Sequence, residues 1–366
     1  MRRRRAGSPH RLTIALADPG REHRLVAHVF DSGRPGPRIC LQAGLHGGEH
    51  AGIYLLTRLA HRLLATPGLR PVRGSLVILP LANPFGPHQM LLGEQAGRYA
   101  LADGGNFNRG FQTVVPLAAE LLPAIAEGLG GGRRMLRLAA EGGRSVLPLW
   151  RAALLALGAS CDLVVDLHCD GESILHAYAP ARHPLLESLF RHLGVALVLE
   201  GTDGEAGAFE ETLVLEASRI PGARRPLATT VELRGRADVG GAAARRDKAA
   251  LLAFLAEEGM IAARAEPPAG EAPIWRPLSH VAYVAMPAAG VVDYRAAPGS
   301  RIAAGAPLAT LARLDARGRP LLEPVTAPAD GLMFARHHRR FLHAGEIVAK
   351  IAAETPRAGP GPLLPA

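Results

Sequence analysis

Between residues 11 and 258 the chain alternates short Val/Ile/Leu-rich runs with stretches of helical spacing, and that alternation confines it to an α/β architecture. Apolar runs at 11–17, 24–30, 38–44 and 75–80 have strand character and are bounded by Pro, Gly and Asp. Ile53, Leu56, Ala60 and Leu63 fall on one face of a helix that begins near residue 50. Further helices are expected at 115–128, 147–158 and 240–258, with strands at 161–168, 173–179, 195–200 and 228–234. Strands and helices in that order build a sheet covered on both faces. Two stretches lack the period: 83–112, read as a long ordered loop, and the glycine-rich 127–145.

The chain has 366 residues, enough for a second, smaller unit. Residues 1–10 read as a disordered basic arm, 11–261 as the α/β domain and 262–275 as a linker. A change to short strands spaced by Gly, Pro and Asp marks 276–353 as a small all-β domain, with a disordered tail at 354–366. Hydrophobic residues make up 48% of the chain, so a full-sized core is available.

Aromatic residues are only 4%, too few for base-stacking platforms, and the net charge of +9 owes four units to Arg2–Arg5. Forty arginines stand against two lysines, a compositional bias rather than a nucleic-acid surface. Three cysteines, Cys40, Cys161 and Cys169, make no disulfide framework, which points to a reducing cytoplasm. The apolar segment after the basic arm ends at Asp18-Pro19, too soon for a signal peptide, and no apolar run is long enough to span a membrane.

Four segments carry chemistry. In Gly44-Leu45-His46-Gly47-Gly48-Glu49-His50 a strand ends and a helix begins, so an imidazole and a carboxylate three residues apart can chelate a divalent metal. The bland alternative is a polar helix start with Glu49 complementing the helix dipole. In Leu163–Asp170 an apolar strand runs into Asp166 and His168 on one face, an arrangement that is costly unless the pair is hydrogen-bonded or liganded. Cys169 points to the other face and reads as a packed small hydrophobe. In Thr229–Gly235, Glu232 interrupts a β-branched strand: it is either a general base beside a bound water or an ion-pair partner of Arg234 or Arg236. In the long loop, Asn83-Pro84-Phe85-Gly86, Arg98-Tyr99 and Asn106-Phe107-Asn108-Arg109-Gly110-Phe111 place arginine beside asparagine, chemistry suited to a carboxylate.

Taken in order, HGGE (46–49), NPFG (83–86), RY (98–99), NFNRGF (106–111), DLH (166–168) and VELRG (231–235) resemble the succinylglutamate desuccinylase/aspartoacylase family of the zinc carboxypeptidase-like superfamily. The resemblance covers about residues 11–258 and implies a mixed β-sheet with helices on both faces. It implies one Zn²⁺ per chain on His46, Glu49 and His168, with Asp166 orienting a ligand and Glu232 as general base. Arg98 would polarise the scissile carbonyl, and Asn108 and Arg109 would hold the substrate carboxylate. The implied activity is hydrolysis of an N-acyl amino acid or related small amide, with no nucleic-acid or membrane partner and with homo-oligomerisation left open. The alternatives are a zinc carboxypeptidase acting on peptide C-termini and a non-enzymatic binding module. Two departures stand out: Asn106 occupies a position that is commonly acidic in the family, and the Arg98–Asn108 spacing is long.

Val291–Ile351 resembles the barrel-sandwich fold of lipoyl and biotinyl carriers, but Phe334–His338, where the carrier lysine would sit, contains none. A structural or pocket-flanking role is therefore expected, with His337-His338-Arg339-Arg340 as a solvated turn. Asp170, Glu172, His176 and Tyr178 follow the His168 strand and read equally as pocket or as polar sheet face. The acidic stretch 201–227, with Asp203, Glu205, Glu210 and Glu211, reads as a solvated loop rather than a lid.

Overall fold

The apolar runs assemble into one mixed sheet of ten strands. The computed structural model describes residues 9–18, 20–140, 145–202, 207–263 and 270–356. Its strands are β1 (His10–Asp18), β2 (Arg21–Asp31), β3 (Arg38–Ala43), β4 (Ser75–Leu79), β5 (Met135–Ala139), β6 (Leu163–Asp170), β7 (His176–Ala179), β8 (Leu197–Glu200), β9 (Leu227–Gly235) and β10 (Ile274–Pro277). They lie in the order β10-β8-β7-β9-β6-β3-β4-β2-β1-β5. The centre is parallel, with β3 between β4 and β6 and β6 beside β9. Pairs β1–β2, β2–β4 and β7–β9 are antiparallel.

Among the described residues six α-helices cover the sheet: α1 (His50–Ala65), α2 (Val115–Leu129), α3 (Leu147–Ala159), α4 (Pro184–Leu193), α5 (Phe209–Glu216) and α6 (Gly241–Glu257). Leu55, Leu189 and Phe254 of α1, α4 and α6 pack in one core with Leu163, Val165 and Leu167 of β6. Trp150, Ile125 and Phe209 of α3, α2 and α5 pack in the other with Val164. Strand side chains alternate between faces, so Asp166 and His168, in phase with Val164, turn toward the α5 layer. Register then lines up two rows on that face. Gln42, Asp166 and Thr230 are neighbours on β3, β6 and β9; two residues further on, His168, Glu232 and His176 are neighbours on β6, β9 and β7.

The sheet is wider than the sequence pattern indicated at both edges. Met135–Ala139, inside the glycine-rich segment, adds parallel to β1; its side chains alternate between exposed and half-buried, so the apolar period is weak. Ile274–Pro277, at the expected linker boundary, pairs with β8. His10, assigned to the arm, is buried and opens β1. Residues 1–8, 264–269 and 357–366 lie outside the described residues, as do Asp203 and Glu205. The solvated acidic loop is corrected for Glu210 and Glu211, which belong to α5, where Glu211 is buried against the sheet.

The C-terminal unit is a β-sandwich, as expected. One sheet orders Val281–Ala285, Ile347–Ala353, Gly331–Arg336 and Arg301–Ile302; the other orders Pro320–Thr326, Pro307–Leu314, Gly290–Tyr294 and Phe341–Leu342. Leu308, Leu311, Met333, Val348 and Ile351 fill the space between. Glu172–Ser173, just past β6, pairs with Ala335–Arg336 and so joins the sandwich to the main sheet beyond the end of β6. No described helix is long and apolar enough to cross a membrane.

Candidate active site

The loop after β3 is held by close backbone contact. Gly47 N–H donates to Gly97 O at 2.7 Å, and a Cβ on Gly47 would stand 2.3 Å from the Gly86 carbonyl carbon. Only glycine fits there. Asn83 braces the arrangement: its Nδ2 donates to Leu45 O, and its Oδ1 accepts from the N–H groups of Phe85 and Gly86. The NPFG segment is thus a strut for the HGGE loop.

Glu49 stands at the N-cap position of α1 but caps nothing. Its carboxylate turns away from the helix: Oε1 lies 2.9 Å from His46 Nδ1, and Oε2 lies 2.9 Å from His168 Nδ1 and accepts from Cys169 N–H at 3.2 Å. All three side chains are buried, and one donor atom from each lies within 4.8 Å of the others. The far nitrogens are also engaged. His46 Nε2 is 2.9 Å from Asn106 Oδ1, and His168 Nε2 is 3.0 Å from Asp166 Oδ2. Both Nδ1 atoms therefore face the centre, the arrangement of imidazoles oriented for a metal.

Burial alone would raise the Glu49 carboxyl, but the imidazoles of His46 and His168 hold it well below the usual range. Burial would lower His168, yet Asp166 and Glu49 raise it well above its ordinary value. Burial lowers His46 from its ordinary value, so one imidazole of the pair is held neutral, and two nitrogens with one carboxylate suit a divalent ion. Cys169 stays outside this group as a buried free thiol.

Glu232 lies next to His168 across the β9–β6 pairing. Burial pushes its carboxyl up to about 8, with Glu49 and Asp170 adding to the shift, and its Oε2 is buried without a hydrogen-bond partner among the described residues. The ion-pair alternative fails for Arg234. That residue adopts a left-handed φ of +64° at a register shift, so it leaves the strand's alternation and its guanidinium pairs with Asp247 on α6. Arg236 instead reaches over the metal-loop side, its Nη2 2.5 Å from where a Cβ on Gly48 would be.

The long Arg98–Asn108 spacing is absorbed by a turn. Gly104 N–H donates to Ala100 O, and Phe107 N–H donates to Arg98 O, which returns the chain to Arg98's side. Arg98 Nη1 comes 3.5 Å from Glu49 Oε1. Asn108 Oδ1 accepts from Phe209 N–H at 2.8 Å, tying the loop to the start of α5, and Arg109 Nη1 donates to Asn108 O. These residues line an open cavity of about 810 Å³ with His46, Glu49, His168, Glu232 and Glu210.

The far wall comes from the β-sandwich. Arg336, His337, His338, Arg339 and Lys350 line the same cavity; the turn at 337–340 is solvated as expected at His338, Arg339 and Arg340, which are exposed, while His337 is half-buried. Lys350 Nζ donates to Asp170 Oδ2 at 2.6 Å, and Arg336 and Arg340 both bind Glu172 at 2.6 Å. The sandwich's single lysine is thus engaged by Asp170 of β6 rather than presented at a hairpin tip. Asn106, Arg236, Glu210 and Lys350 were not assigned to the site by sequence. Each arrives from a segment whose approach depends on tertiary contacts, although the Asn106 departure was itself a signal.

Residues 35–127 match the family model described as the succinylglutamate desuccinylase/aspartoacylase catalytic domain. No curated protein matches the chain. Among solved structures, a protein described as a succinylglutamate desuccinylase/aspartoacylase family member from Shewanella amazonensis SB2B has 22% identity and a TM-score of 0.74, covering 95% of this chain and 99% of that one. The product-bound ectoine utilization protein EutE (DoeB) from Ruegeria pomeroyi has 19% identity and a TM-score of 0.67, covering 96% of each chain. A succinylglutamate desuccinylase/aspartoacylase from Rhodobacter sphaeroides has 19% identity and a TM-score of 0.66, covering 95% and 96%. At these identities the structural likeness establishes the fold.

Proposed function

We propose that this chain is a member of the succinylglutamate desuccinylase/aspartoacylase family, whose model matches residues 35–127, and is a zinc-dependent hydrolase that cleaves the amide bond of an N-acyl amino acid. The observation that carries the reading is the buried His46–Glu49–His168 group with the unpartnered Glu232 Oε2 beside it. Zinc held there supplies Lewis acidity toward a carbonyl and acidifies water.

The chain's own residues do the rest. Glu232 takes a proton from water in the cavity as the water oxygen attacks the carbonyl carbon, then hands that proton to the departing amine as the C–N bond breaks. Arg98 meets the negative charge that gathers on the carbonyl oxygen. Asn108 and Arg109 hold the free carboxylate of the amino-acid half, and Asp166 and Asn106 fix the ring orientations of His168 and His46. The products are a carboxylic acid and a free amino acid.

Metal analysis of purified protein tests the assignment. About one zinc per chain is expected, as for a three-residue catalytic site, with activity lost to a chelator and restored by zinc. Metal-free protein with chelator-indifferent activity would sink it. Preferential hydrolysis of peptides over N-acyl amino acids would move the substrate to peptide C-termini.

A second expectation concerns the carboxylate. Converting the substrate's free carboxylate to a methyl ester should lower kcat/KM by about 10- to 100-fold, because an ester is a weaker acceptor for Asn108 and Arg109 than a charged carboxylate. Equal rates on acid and ester would remove Asn108 and Arg109 from that role.

A further inference from the structure

The strand β3, which leads into the His46 loop, buries five positions, Ile39–Ala43, and Gln42 alone among them carries an amide. Gln42 is 0% exposed, and neither its Oε1 nor its Nε2 has a hydrogen-bond partner among the described residues. A buried primary amide is costly without partners, and methionine would fill the same space without that cost. A glutamine here therefore calls for something to bond.

Register places that something beside it. Gln42 is level with Asp166 on β6, and Asp166 is level with Thr230 on β9; on its other side Gln42 has Leu79 of β4, which offers nothing polar. Adjacent strands lie about 4.8 Å apart, so Gln42 and Thr230 flank Asp166 on the face it shares with His168. Asp166 is also 0% exposed: its Oδ2 takes the Nε2 proton of His168 at 3.0 Å, while its Oδ1 has no partner among the described residues. The hydroxyl of Thr230, itself buried, is unpartnered as well. One carboxylate oxygen short of donors thus stands between two side chains whose donors are unused.

Asp166 decides where the His168 proton sits. A carboxylate can only accept, so the hydrogen is on Nε2 and the Nδ1 lone pair is left for the centre. A carboxylate held through Oδ2 alone can swing about its Cβ–Cγ bond and take the ring with it. A donor on Oδ1 from each flanking strand stops that rotation.

We propose that Gln42 and Thr230 are positioning residues: Gln42 Nε2 and the Thr230 hydroxyl donate to Asp166 Oδ1, directly or across one shared water, and so lock Asp166 and the His168 ring it holds. This rests on the zinc part of the reading given above. Neither residue is a metal donor, and both act through Asp166.

Two measurements test the clamp, one of which needs no metal. Gln42→Met and Thr230→Val remove the donors and nearly keep the shape, whereas Thr230→Ser keeps the hydroxyl. Zinc affinity, read by competition with a chelating dye, should fall about 10- to 100-fold in the first two and hold in Thr230→Ser, the scale for lost partners of ligating side chains. In metal-free protein with isotopically labelled histidine, magnetic resonance should show the His168 Nε2 proton exchanging with water about 10-fold faster in Gln42→Met and Thr230→Val than in the wild type. A purely structural Gln42 predicts another pattern: equal or higher Tm in Gln42→Met, with zinc affinity and the His168 signal unchanged in both variants. That result would overturn the proposal. A wild type that binds no zinc, with His168 exchange still quickened by both substitutions, would uphold the clamp and overturn the zinc reading instead. Should Gln42→Met fail to fold, Thr230→Val against Thr230→Ser decides by the same two measurements.

Discussion

Glu232→Gln is expected to lower kcat by about 10²- to 10⁴-fold, the range for lost general acid–base catalysis, which corresponds to about 3–5 kcal/mol of barrier. The substitution keeps size and one hydrogen-bonding oxygen but removes the proton acceptor. Zinc content should hold, because His46, Glu49 and His168 supply the donors and Glu232 is not among them. Thermal stability should hold or rise, since a buried acid with an unpartnered oxygen is replaced by a neutral amide. A purely structural Glu232 predicts the reverse: a lower Tm with near-normal turnover per folded molecule. Metal analysis, a melting curve and kcat on this variant decide between them, and a folded, zinc-loaded variant with wild-type kcat ends the mechanism.

His168→Ala should abolish metal binding. It removes one of three donors and leaves Asp166 buried opposite an empty space, so the remaining His46 and Glu49 cannot close a site. In the wild type, a chelator should strip the ion and lower the stability by about 3–4 kcal/mol, the linkage expected when the free ion exceeds its Kd by two to three orders of magnitude. In the variant the chelator should change nothing, because there is no bound ion to lose. Zinc measured per chain and Tm with and without chelator read this directly. A His168→Ala protein that retains zinc would refute the ligand set.

Much of the fold and the buried His46–Glu49–His168 group could be read from local pattern. The strand 163–168 ends in Asp166 and His168 because period-two alternation places both on one face, and the same alternation removed Cys169 from consideration. His46 and Glu49 follow from a strand-to-helix junction. Other features depend on distant contacts. The weakly apolar Met135–Ala139 is a strand only because β1 offers it an edge. Ion-pair partners of Glu232 could be weighed by proximity in sequence, but a left-handed Arg234 turns that reasoning over. Glu210 comes to the cavity only once α5 packs on β9, and Lys350 reaches Asp170, 180 positions away in the sequence.

The bulge at the end of β9 has a consequence for how the enzyme can drift. A left-handed non-glycine residue costs about 1–2 kcal/mol, and here the guanidinium of Arg234 is anchored by Asp247 on α6, in the helical layer opposite the one that Glu232 faces. If Glu232 is the base of the proposed reaction, its aim would therefore be set from behind the sheet, like a sight adjusted by a screw on its far side. Substitutions along α6 that touch neither metal nor substrate can retune the reaction by changing how Arg234 is held. The cavity wall can meanwhile vary to accept new substrates without disturbing the proton acceptor, so substrate choice and catalytic alignment are exposed to selection on separate faces of one strand.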